Sequence, residues 1–84
     1  MLFHFTKHAK DKFIKVRYAG FALSKKQVQE TIQHPNKVEE KPDGTFIATK
    51  ILDSIYILRV VYREEDDIIV IITFYPARRK DYEI

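Results

Sequence analysis

There is no cysteine among the 84 residues of this chain, so disulfides and thiolate metal sites are excluded, and a reducing compartment fits. A long apolar run is also missing. The longest mainly apolar stretch, Ile68 to Phe74, falls far short of the ~20 residues a membrane-spanning helix needs. The opening "MLFHFTKHAK" has neither the apolar h-region nor the small-residue cleavage site of a signal peptide. Repeats, low-complexity tracts and linkers are absent. These absences lead to the expectation of a soluble, cytoplasmic protein with one domain over residues 1–84. Its length is near the lower end for unaided folding, so most strongly apolar positions must serve the core.

What is present reads as globular: 45% hydrophobic and 32% charged residues place the chain well away from disorder. The formal net charge is only +3, but it is unevenly spread. Residues 1–36 carry seven Lys/Arg against two acids, residues 37–75 five against eight, and residues 76–84 three against two. A fold that joins the two ends would therefore make a basic patch, suited to nucleic acid or an acidic partner. Ordinary solvated surface lysines account for the same numbers, and both readings stay open here.

Local signals give an order of elements. Residues 2–5, "LFHF", suit a short strand. Thr6 can cap a helix on which Ala9, Phe13 and Val16 share a face, and Gly20 supplies a stop. Ser24 and Gln27 form an S-x-x-Q capping box, with Leu23 and Val28 as its hydrophobic staple, and Pro35 ends that helix by His34. "KPDG" at 41–44 is a turn. Thr45–Leu52, Ser54–Arg63 and Asp67–Tyr75 are β-rich runs, and Lys37–Lys41 can add a short strand. The order β-α-α-β-β-β predicts an α+β domain, its two N-terminal helices on one face of a mainly antiparallel sheet.

Alternation assigns faces. Tyr56, Leu58, Val60 and Tyr62 should meet the helices, leaving Arg59 and Arg63 on the opposite face. A two-residue turn at Asp53-Ser54 would pair Lys50 with Ile57 and place Lys50 beside Arg59. The stretch Ile68–Phe74 is apolar on both parities, which predicts a central strand flanked on both edges and covered on both faces. The first strand is its natural second neighbour. Pairing should stop at Pro76, and the cationic tail should leave along the helix-free face.

Four segments in order, "FTKHAKDKF", "LSKKQVQETIQHP", "YILRVVY" and "IITFYPARRKDYE", resemble a small domain family placed in the RelE/ParE toxin superfamily. The closing segment also resembles the tail of the BrnT-like ribonuclease toxins. The resemblance implies a RelE-like fold, and, for many such proteins, a metal-independent endoribonuclease held inactive by a cognate antitoxin, in some cases acting on the ribosome. Others of the superfamily, similar to ParE, act on DNA gyrase without cutting nucleic acid. Of the tail, Arg78, Arg79 and Tyr82 match the superfamily pattern.

Cleavage of RNA through its 2′-OH needs a base, cations for the developing phosphate charge, and an acid for the leaving oxygen. The candidate catalytic residues are His8, Arg59, Arg78 and Tyr82. Lys12, Lys50, Arg63, Arg79 and Lys80 are candidates for nucleic-acid binding. His8 follows a helix N-cap, where the dipole favours a neutral imidazole. Arg59 can fork onto a phosphate or pair with an acid on a neighbouring strand. Tyr82 can stack on a base or tuck against the sheet. No cofactor and no metal are expected, since His4 and His8 have no accompanying carboxylate. The partners considered are RNA, an antitoxin and a second copy of the chain. The alternative to catalysis is a binding module on the same scaffold, whose basic face engages an acidic or disordered partner.

Overall fold

A computed structural model describes residues 2–82 and 84. The elements are β1 (Leu2–Phe5), α1 (Lys7–Tyr18), α2 (Lys25–Gln33), β2 (Lys37–Glu40), β3 (Phe46–Ile51), β4 (Tyr56–Glu65) and β5 (Ile68–Arg78). A short 3-10 turn over Arg79–Asp81 follows β5. The strands form a single sheet in the order β1-β5-β4-β3-β2. β1 runs parallel to β5, and every other pair is antiparallel. The fold is the α+β class expected, with the short strand at Lys37 included.

The helices start where their caps dictate. Thr6 Oγ1 accepts a hydrogen bond from Ala9 N at 3.1 Å, and Ser24 and Gln27 close the reciprocal capping box. Each such cap stabilises by about 1 kcal/mol. Gly20, at φ +96, takes the left-handed conformation that follows α1. Both helices cover one face of the sheet. Ala9, Val16 and Val28 pack there against Leu58, Val60, Tyr62, Ile71 and Phe74. Leu58, Val60, Ile71 and Phe74 are fully buried, each contributing about 1.5–3 kcal/mol by leaving water. Phe13 links the layers, its ring 5.8 Å from Phe5 and 4.6 Å from Phe74.

Three expectations are corrected. First, β5 is flanked by β1 and β4 as expected, but β4 is the middle strand of the five, and β1 lies beside only Ile68–Ile71. Second, pairing does not stop at Pro76: Pro76 lies opposite Leu58, and the ladder continues to Tyr56 and Arg78. Beyond Ile71 the outer side of β5 carries no strand among the described residues, so proline's missing N–H costs no ladder bond there. Third, the turn between β3 and β4 is not the two-residue one. Lys50 pairs with Leu58 and Ile51 with Ile57, one residue away from the expected register. The cause is Asp53. Its Oδ1 accepts from Ile55 N and Tyr56 N, each at 2.8 Å, while Leu52 N donates to Tyr56 O. The loop therefore spans 52–55, and a slip of one exchanges the faces of every side chain before it.

β5 contains a bulge. Tyr62 faces Ile71 and Val61 faces Thr73, leaving Ile72 as the additional residue. Ile72's carbonyl accepts from Thr6 Oγ1 at 3.1 Å, and Ile71's accepts from Thr6 N at 3.1 Å. The residue that caps α1 thus also satisfies the disrupted ladder.

Candidate functional site

On the helix-free face β4 presents Ile57, Arg59, Val61 and Arg63, as alternation predicted. Arg59 is the polar centre of this face, and it is only 6% exposed. Its Nε donates to Tyr75 Oη at 3.0 Å, and its Nη2 to Glu39 Oε2 at 3.1 Å. Glu39 sits on β2, two strands away, so the arginine side chain reaches across β3. Tyr82 closes the cluster: the guanidinium carbon lies 4.1 Å from the centre of its ring. Thr49, directly opposite Arg59 on β3, is buried, and its hydroxyl has no hydrogen-bond partner among the described residues.

The tail thus returns across the helix-free face. Arg79 N donates to Ile55 O at 2.8 Å, and Arg79 Nε donates to Ile84 O at 3.0 Å. Ile57 beside it is fully buried although no helix covers this side. Of the two readings of Arg59, the geometry shows the ion pair with a neighbouring acid. Of the two readings of Tyr82, it shows packing against the sheet.

The remaining candidates do not converge on Arg59. Lys50 is on the helix side, where its Nζ donates to His34 O at 2.8 Å; an ammonium at the α2 C-terminus meets the negative end of the helix dipole. Arg78 pairs with Tyr56, which also belongs to the helix side. Tyr56 itself meets Phe21 edge-on at 4.9 Å. His8 is exposed at the outer side of β5, its Nε2 3.2 Å from Thr73 Oγ1. Arg63 shares Arg59's face but is four residues further along β4, about 13 Å at strand rise. It makes an exposed bridge to Glu65 at 3.5 Å, a contact worth well under 1 kcal/mol. Lys12 is half-buried and Lys80 is exposed. Among the described residues no three His, Asp or Glu side chains gather as a metal site.

Sequence reasoning missed Glu39, Tyr75 and Thr49. Tyr75 and Thr49 occupy the row of Arg59 in the register, and only the bulge and the loop at Asp53 set that register. Glu39 had a faint signal, as an acid in the short strand "KVEE".

No family model, curated protein or solved structure matches the chain. Function therefore rests on this geometry. No helix is long and apolar enough to cross a membrane among the described residues.

Proposed function

We propose that the chain is a toxin-type, RelE-like protein of the cytoplasm that acts as a binding module for a protein partner, such as a cognate antitoxin, and does not cut RNA. The observation that carries this reading is the state of Arg59. A cation that stabilises a phosphate in a transition state must be free to meet it. Here one edge of the guanidinium is engaged by Tyr75 and Glu39, and its face by Tyr82. His8, Lys50 and Arg78 point elsewhere, so base, cations and acid are not assembled around a common point.

A second reading, a metal-independent endoribonuclease working by 2′-OH attack, is favoured by one specific feature. Glu39 holds a carboxylate beside Arg59 and two phenols, a combination that contains a base, a cation and an acid. It requires Tyr82 to leave the guanidinium. The test is incubation of purified protein with single-stranded RNA, alone and with ribosomes, alongside Glu39→Gln and Arg59→Ala. The RNA should stay intact throughout. Cleavage by the wild type that disappears in Glu39→Gln would overturn the binding-module reading and establish the enzyme.

A further inference from the structure

A second polar feature lies where the tail meets the β3–β4 loop. A cavity of about 190 Å³ is walled by Ser54, Ile55, Arg78, Arg79 and Lys80. Three consecutive cationic residues and a hydroxyl-bearing loop residue therefore border one small recess. Unlike Arg59, Arg78 and Lys80 are exposed and make no ion pair or side-chain hydrogen bond among the described residues. The Ser54 hydroxyl, also exposed, makes no hydrogen bond among the described residues.

Two features hold the recess in shape. Arg79 N donates to Ile55 O at 2.8 Å, which ties the tail to the loop. Asp53 would otherwise bring a repelling charge, but its carboxylate is turned into the loop, accepting from Ile55 N and Tyr56 N. The charge of Arg79 also helps to hold that carboxyl below the usual range, after those two backbone bonds.

We propose that this recess binds a phosphate group. Arg78 and Lys80 supply the charge, and Ser54 supplies a hydroxyl donor to a phosphate oxygen. The recess has room for a tetrahedral oxyanion, and its cationic border would hold the ligand by its phosphate. Both a free phosphorylated compound and a single-stranded RNA backbone offer that chemistry. The site stands apart from the Arg59 cluster, and a cleaving or a non-cleaving protein could carry it.

Inorganic phosphate is titrated into isotopically labelled full-length protein at constant ionic strength, with backbone amide resonances as the readout. Saturable shifts at Ser54, Ile55 and Lys80 are expected. The double variant Arg78→Gln, Lys80→Gln should weaken binding about tenfold or more, as for two charge-assisted contacts. Lys10→Gln with Lys15→Gln on α1 should leave it unchanged. If the double variant does not fold, Lys80→Gln alone gives the same comparison. A single-stranded RNA oligomer that shifts the same amides and competes with phosphate identifies the backbone as the source. Its salt slope should then fall by about 1.4 in the double variant, at ~0.7 per contact. Phosphate binding without competition identifies a small phosphorylated ligand. Non-saturating shifts, shifts equally large on α1, or a double variant that binds like wild type overturn the proposal.

Discussion

The two faces of the sheet reach similar burial by different means. Under the helices, Leu58, Val60, Ile71 and Phe74 are buried by apolar packing alone. On the other face Ile57 is fully and Arg59 nearly inaccessible, yet Tyr82 of the tail is held there by an arginine that also engages a carboxylate and a second phenol. The first arrangement is non-directional and tolerates any well-fitting hydrocarbon. The second depends on specific partners, and removal of one leaves others unsatisfied. The apolar face is thus held by packing, whereas the polar face is held by directional contacts that can be removed one at a time.

The comparison can be broken first on the helix side. Phe74→Ala should cost about 3–5 kcal/mol through lost transfer energy and a cavity, read as a large fall in the urea midpoint. On the opposite face, Arg59→Ala removes Glu39's partner. The carboxylate is partly exposed and can rehydrate, so the expected loss is about 2 kcal/mol, below that of a fully buried pair. Arg59→Met keeps the packing but not the charge, and if it proved as stable as wild type, burial alone would account for the residue. Tyr82→Ala should cost about 1 kcal/mol, the scale of a cation–π contact, and should speed amide exchange in Ile57 and the 79–84 segment without affecting Leu58 or Val60. Uniform acceleration on both faces would mean that the tail is not a separable cover.

The smallest effect concerns pH. Hydrogen bonds from Tyr56 N and Ile55 N, with a contribution from Arg79, hold the Asp53 carboxyl below its ordinary value. A depressed folded value means that the contribution is complete above the ordinary 3.8 and is lost as pH falls below it through the folded value. Asp53→Asn should therefore flatten the acid limb of the stability profile below about pH 4, and an unchanged limb would assign the loss to other acids. Asp43, held down by Thr45 in the same way, is the natural control.

Much of the fold was legible because its signals are local. Thr6, Ser24 and Gln27 act within one helical turn, and the alternation along β4 needs no knowledge of its neighbours. What could not be read is what depends on register. Lys50 was assigned to Arg59's face on the assumption of a two-residue turn, and a single carboxylate, Asp53, lengthens that turn and reverses the assignment. Glu39 reaches Arg59 across an intervening strand, and Tyr82 reaches it after the chain has reversed. Neither proximity leaves a trace in sequence spacing. The candidate site was therefore legible in Arg59 and Tyr82, and illegible in the residues that decide what Arg59 can do.

The bulge at Ile72 has a further consequence. Were Ile72 paired into the ladder, with no bulge, the register on the β1 side would continue, and Phe74 would stand opposite Arg59 in place of Tyr75. Thr73 would enter the helix layer beside Val60, and Tyr75 would follow on that side. The apolar run of β5 carries hydrophobic residues on both parities because it serves one face before Ile72 and changes phase after it. Ile72 is an insertion that the bulge absorbs: Phe74 completes the core and Tyr75 meets the arginine because Ile72 is left out of the ladder. Deleting it would turn the bulge into a regular ladder and leave Val61 opposite Thr73, Val60 opposite Phe74 and Arg59 opposite Tyr75.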